Sequence, residues 1–177
     1  MPAHREDFIL MTVGALTLDP TTKTPIVVLK DPDNKLNLPI WIGLLEAASM
    51  ATELEGIKSQ RPMTHDLLRN LVAELDGTVE AVEVTDLRDN TYYAMIQVKT
   101  RDGRTIQIDS RPSDAISLAL RTKSPIYVAK KVLEISSELQ QAAAEPGSKE
   151  QNLAGVSRDK WAEILEKMAP EDFKYKM

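Results

Sequence analysis

"TVEAVEVTDLRDNTYYAMIQVKTRDGRTIQIDS", residues 78–110, holds three apolar-rich segments separated by two short polar breaks. In "TYYAMIQVK" and "RTIQID" apolar and polar side chains alternate, the pattern of a strand with one buried face. The breaks fall at Asp89-Asn90 and Asp102-Gly103. Asp-Gly between alternating segments is a strong hairpin signal, because tight hairpin turns need residues that tolerate positive φ. The whole stretch reads as a three-strand meander.

Upstream, residues 7–42 read the same way. "FILMTVGALTL" is apolar and β-rich, "PIVVLKD" is short and branched, and "KLNLPIWIG" alternates, with turn-rich "DPTTKTP" and "DPDNK" between them. The period then changes. Leu44, Leu45, Ala48, Ala51 and Leu54 fall on one helical stripe, which Gly56 ends as a left-handed cap. A second helix after "SQRPMT" carries Leu67, Leu68, Leu71, Val72 and Leu75, closed by Asp76-Gly77. Stripes of this kind ordinarily face a core. A third helix spans 112–122, followed by a short strand, "SPIYVA". Strands in runs, not in strict alternation with helices, predict an α+β fold: a mixed, mostly antiparallel sheet of two three-strand meanders packed with helices. Residues 1–135 form the expected domain. Residues 136–177 read as a linker and a C-terminal amphipathic helix, capped by Ser157 with a Trp161, Ile164, Leu165, Met168 stripe.

Composition narrows the function. The chain of 177 residues has no Cys, which excludes disulfides, thiolate metal sites and cysteine nucleophiles. No apolar run approaches the roughly 20 residues that span a bilayer, and the N-terminus lacks a secretory cleavage pattern, so a cytoplasmic protein is expected. The net charge of −5 argues against coating nucleic acid non-specifically. Residues 99–131, however, hold eight basic side chains (Lys99, Arg101, Arg104, Arg111, Arg121, Lys123, Lys130, Lys131) against Asp102, Asp109 and Asp114, a local +5. Such a stripe can guide an anion to one place, or be merely a solvated face. P-loop, dinucleotide and zinc-spaced motifs are missing, and aromatics at 5% are too few for a base-stacking platform.

Three blocks, "LPIWIGLLEAASMATELEG", "RPMTHDLLRNLV" and "IDSRPSDAISLALR", resemble in order and spacing the signature blocks of the bifunctional nuclease domain family. The resemblance covers roughly residues 8–135. It implies a compact α/β fold that self-associates, and degradation of both RNA and DNA. The catalytic residues are not supplied by the resemblance and must be argued from this sequence.

Two helix starts carry an Arg-Pro pair, Arg61-Pro62 and Arg111-Pro112. A cation there is electrostatically misplaced unless an anion compensates it, and free backbone N–H groups beside a guanidinium suit a phosphate. Arg61, Arg111 and Ser113 are therefore the phosphate-binding candidates. Asp109, Asp114 and Glu46 are candidate ligands of Mg2+ or Mn2+, which ask for only one or two carboxylates. His65 is the one histidine placed for proton transfer, with Asp66 beside it. His65, Asp66, Asp109, Arg111 and Asp114 make up the candidate catalytic set. Each also has a structural use: Thr64 and Ser110 or Ser113 can cap their helices, and Glu46 and Asp66 suit first turns. The leading expectation is a metal-assisted phosphodiesterase acting on nucleic acid, as a homo-oligomer. The rival is a non-catalytic self-associating domain that binds a partner protein or a small anionic ligand.

Overall fold

The computed structural model describes residues 5–143 and 151–152. Its strands are β1 (Phe8–Leu18), β2 (Pro25–Lys30), β3 (Asn37–Trp41), β4 (Thr78–Arg88), β5 (Thr91–Lys99), β6 (Thr105–Ser110), β7 (Ile126–Ala129) and the two-residue β8 (Gln151–Asn152). The helices are α1 (Leu44–Leu54), α2 (Thr64–Glu74), α3 (Pro112–Thr122) and α4 (Lys130–Ala143). The two meanders are present, and they share one sheet in the order β3-β2-β1-β7-β4-β5-β6, with β8 on β1. All pairings are antiparallel except β4 with β7. The architecture is α+β.

Turn chemistry sets the registers. Asp89 and Asn90 both hold positive φ, 49° and 57°, as a two-residue hairpin turn demands. In β1 a bulge between Val13 and Ala15 lets one strand serve two neighbours: Phe8–Met11 pair with β7, and Thr12–Leu18 with β2. Gly14 occupies the bulge, where an added Cβ would meet the Lys30 side chain.

One face of the sheet is the core face. Val82 lies between Ile96 and Ile126 in register, Ile126 pairs with Met11, and all four are buried in the apolar cluster that includes Ala115, Ile116 and Ala119 of α3. The other face carries the row Leu10, Tyr127, Glu83, Met95 and Asp109. α3 packs on β4 and β5, with α1 and α2 against it. α4 continues past residue 135 to Ala143 and buries Val132, Leu133 and Ser136. Tyr92 of β5 donates its hydroxyl proton to the Pro39 carbonyl of β3 at 3.1 Å and lies 3.2 Å from Ser136 Oγ, so the sheet curls until strands from its two ends meet.

The helix stripes depart from expectation. α1 buries Ala47, Met50 and Ala51 and leaves Leu45 and Leu54 exposed. α2 buries only His65; Leu67, Leu68, Leu71 and Leu75 face solvent. Neither Ser110 nor Ser113 caps α3, whose N-cap is Arg111, and Thr64 lies inside α2, whose N-cap is Met63. Residues 157–168, read as an amphipathic helix, lie outside the described residues. Among the described residues no helix is long and apolar enough to cross a membrane.

Two substitutions test this arrangement. Leu38→Ala, at a fully buried position, should cost about 2–5 kcal/mol in denaturant unfolding. Tyr92→Phe should cost about 1–2 kcal/mol, because it strands a carbonyl and a hydroxyl that the phenol joins.

Candidate functional site

α1, α2 and α3 meet along a line of polar side chains. Asp114, Ser117 and Arg121 recur three and four residues apart, so they share one face of α3; Glu46 and Ser49 share one face of α1 in the same way. Thr64 starts α2 with His65 and Asp66 turned inward, and Met63 N–H donates to Asp66 Oδ2 at 2.9 Å, which fixes that first turn.

The chain of contacts begins at Arg111. Its Nη1 lies 3.1 Å from Glu46 Oε1, while its Nε and Nη2 donate to Asp114 Oδ2 and Oδ1 at 2.7 and 3.1 Å. Asp114 Oδ1 is 3.2 Å from His65 Nε2, and His65 Nδ1 is 3.0 Å from Ser49 Oγ. Arg121 closes the inner end. It donates to Ser49 O and Oγ at 3.1 Å, to Ser117 O at 3.0 Å and to Asp66 Oδ1 at 2.8 Å. An ionised carboxylate only accepts, so the proton on His65 Nε2 points at Asp114, and the other ring nitrogen shares a hydrogen bond with the Ser49 hydroxyl. Serine, histidine and aspartate thus stand in hydrogen-bonded sequence, with the carboxylate on Nε2.

Exposure falls steadily along this chain. Side-chain exposure is 51% at Arg111, 31% at Asp114, 12% at Glu46, 9% at His65 and 2% at Arg121. A ligand can therefore reach Arg111 and Asp114, whereas Arg121 serves the fold. The hydrogen bond from His65, against the cost of burial and with help from Arg111, holds the Asp114 carboxyl down at about 2. Burial opposes ionisation of Asp66, but the Met63 N–H and Arg121 outweigh it and its carboxyl also sits below the usual range. Gly43, the N-cap of α1, carries the Glu46 carboxylate folded back over it; a Cβ there would collide with Glu46 Oε2 and push it off Arg111.

Beside this chain lies a hollow of about 470 Å³, formed by the end of α1, the following connection and the start of α2. Lys58, Arg61, Arg69 and Arg121 line it, with Glu53 and Asp66. Among the described residues Arg61 and Lys58 take part in no salt bridge.

The structure brings Glu46, His65, Asp66, Arg111 and Asp114 into one network and sets Arg61 in the neighbouring hollow. Asp109 stays apart. It pairs with Met95 on the sheet face opposite the helices, because alternation along β6 turns its side chain away while Ile108 faces them. Ser113 is buried at the second position of α3. Among the described residues no three His, Asp or Glu converge as a ready-made metal set. The basic stripe is dispersed: Lys99, Arg101, Arg104, Arg111, Arg121 and Lys131 all sit in salt bridges with acids. Sequence reasoning missed Ser49 and the role of Arg121; the polar row at 114, 117 and 121 on an otherwise apolar helix was the available signal.

The bifunctional nuclease domain model matches residues 27–141, from β2 to α4. The chain belongs to the bifunctional nuclease domain family. Over 165 residues, 92% of this chain and 96% of the relative, it is 35% identical to an uncharacterized protein of Mycobacterium tuberculosis. It is 28% identical over 109 residues to bifunctional nuclease 1 of Oryza sativa subsp. indica and 29% identical over 109 residues to bifunctional nuclease 1 of Arabidopsis thaliana. These plant matches cover 60% of this chain but only 33% and 34% of the plant proteins. Every residue of the polar network lies within the family domain.

The network has a pH signature. Asp114 is more acidic folded than unfolded, so its contribution is complete above the unfolded carboxylate pKa of about 4 and is lost as pH falls through the folded value of about 2. Thermal unfolding between pH 5 and about 2 should show this loss, and Asp114→Asn should flatten it. Arg121→Leu, which leaves Asp66 without its buried partner, should destabilise by about 3–5 kcal/mol in urea titration.

Proposed function

We propose that this chain is a metal-assisted phosphodiesterase that cleaves RNA and DNA, with the outer end of the polar network as its active centre. The observation that carries this reading is a half-exposed guanidinium held between two carboxylates, with a hydrogen-bonded histidine behind them. Arg111 is fixed at a helix N-terminus, where backbone N–H groups add to its attraction for an anion. Its planar fork matches two oxygens of a phosphodiester.

Glu46 and Asp114 already converge on one positive group, the Arg111 guanidinium, and this supports a second reading of the same position. A single Mg2+ or Mn2+ would take these two carboxylates as ligands once Arg111 turns to a substrate phosphate, within the one or two carboxylates such ions need. The ion would supply a polarised water and neutralise charge on the phosphate. The remaining work falls to the chain itself. Arg111 binds and orients the scissile phosphate. His65 donates to Asp114 and keeps it ionised and aimed, and the Ser49 hydroxyl fixes the ring. Arg61 and Lys58, in the hollow beside the site, bind a neighbouring phosphate of the same strand. In the reaction water attacks phosphorus and gives up a proton to solvent, the bond to the leaving sugar oxygen breaks, and that oxygen takes up a proton from solvent.

Purified full-length chain with fluorescent single-stranded RNA and DNA, with Mg2+ or Mn2+ or with EDTA, tests this between pH 5 and 9. Cleavage should require the ion. Arg111→Ala and Asp114→Asn should lower kcat by about 10²-fold or more, the scale of losing one charge-stabilising group. Arg61→Ala should raise KM with little change in kcat. His65→Asn keeps a donor but cannot titrate, so a retained pH profile marks His65 as positioning and a lost one as transferring the proton. No cleavage under any of these conditions defeats the proposal and leaves the non-catalytic module that binds a partner or a small anion.

A further inference from the structure

The hollow beside the polar network keeps a charge that nothing within it balances. Its lining sets Lys58, Arg61, Arg69 and Arg121 against Glu53 and Asp66, an excess of two positive charges. Arg121 and Asp66 neutralise one another at 2.8 Å and form the floor, for only 2% of the Arg121 side chain is exposed. The excess therefore belongs to Lys58, Arg61 and Arg69, none of which forms a salt bridge among the described residues. Arg69 donates from Nε and Nη2 to Asn70 Oδ1 at 3.1 and 2.9 Å, and that acceptor is neutral. Cations gathered round a concavity focus their field there and draw in an anion.

Two properties of the hollow select the anion. The first is charge. An internal phosphodiester brings a single negative charge, whereas a phosphate monoester brings about 1.5 to 2 at neutral pH and three strongly accepting oxygens. The excess in the hollow matches the monoester and would leave a cation over beside a diester. The second is size. A volume of about 470 Å³ falls among pockets that enclose a whole small molecule, so there is room for the sugar and base that carry the phosphate. Ile57, Pro62 and Met63 give them an apolar wall. In nucleic acid a phosphate monoester stands only at the end of a strand.

We propose that the hollow holds the phosphorylated end of a nucleic-acid strand, with the terminal phosphate on Lys58, Arg61 and Arg69 and the terminal nucleotide against Ile57, Pro62 and Met63. This deepens the reading of the neighbouring centre and rests on nucleic acid being its substrate. Hollow and centre share the first turn of α2: Asp66 lies in the floor of one, and His65, one residue before it, holds Asp114 in the other. A strand seated by its end is thus presented to Arg111 at a fixed distance from that end, and cleavage releases a short product of one length.

Binding measured without metal separates this inference from cleavage. Fluorescence anisotropy of the full-length chain in EDTA compares one internally labelled single strand with a 5′-phosphate, with a 3′-phosphate, with hydroxyls at both ends, and closed into a circle. At least one phosphorylated form should bind about 10-fold tighter or more than the hydroxyl-ended and circular strands, the scale of one hydrogen bond to a charged group. Arg61→Ala and Lys58→Ala, both at exposed positions, should each weaken that preference, and the double variant should abolish it with unchanged far-UV circular dichroism. Arg101→Ala, which removes an exposed cation outside the hollow, should leave it intact. Equal affinity for all the strands, a preference that survives the double variant, or a mononucleotide that binds as tightly as the phosphorylated strand would each overturn the proposal. End preference with no cleavage on adding Mg2+ or Mn2+ sinks the nuclease reading alone, and cleavage with no end preference sinks this inference alone.

Discussion

Arg121 comes from the last turn of α3 and ends with its guanidinium enclosed by the three helices, 2% of the side chain exposed. A charge in that position is tolerable only when its donors are occupied, since desolvation alone costs several kcal/mol. Asp66, Ser117 O, Ser49 O and Ser49 Oγ occupy them. These four bonds fix three elements: Asp66 sets where α2 starts, the two to Ser49 set the rotation of α1, and Ser117 ties the guanidinium back to α3. With α2 and α1 so held, His65 has one place to go, between Ser49 and Asp114. The polar cluster that could be read as a set of loosely related caps is therefore a single structure with one organising cation.

Structural and chemical roles divide along this cluster by depth. At the inner end the Arg121 guanidinium, Asp66 and His65 are committed, while among the described residues the buried Ser117 Oγ has no partner, and substitution is a question of stability. At the outer end Arg111 has solvent on one side and two carboxylates on the other, so it can exchange partners without unfolding anything. Gly43 belongs to the outer end although it bears no functional group, because its missing Cβ is the space in which the Glu46 carboxylate lies. Family membership adds nucleic acid as the class of substrate to consider. Side-chain exposure orders the cluster from a reachable cation, Arg111, inward to a held imidazole, His65.

The strands were legible because alternation and turn chemistry are local. β5 and β6, the Asp89-Asn90 turn and the left-handed Gly56 follow from a few neighbouring residues each. The helix faces were not. Hydrophobic spacing says which residues of α2 stand together and is silent on which way they look; the decision rests with Arg121, 55 residues away from its partner Asp66. Asp109 failed for a related reason. Its closeness in sequence to Arg111 and Asp114 suggested a cluster, but the strand ends between them and its parity sends the carboxylate through the sheet. That the starts of α2 and α3 meet, at His65 and Asp114, is decided by tertiary packing alone. The tertiary packing also added Ser49, which the sequence presents as one small polar residue among alanines.

The order of strands carries a consequence for how the molecule comes into being. β7 is the last strand of the main sheet to be synthesised, yet it lies at the centre, joining β1 on one side to β4 on the other. Until residues 126–129 have left the ribosome, the two meanders have no shared hydrogen bonds through which to become one sheet. Pairing at such long sequence separation is slow, and unpaired strand edges in the meantime invite wrong partners. The two halves must wait as separate, half-covered sheets, and a ribosome stalled before residue 126 would release two edges with nothing between them. Synthesis rate and chaperone supply then bear on this fold through one four-residue strand.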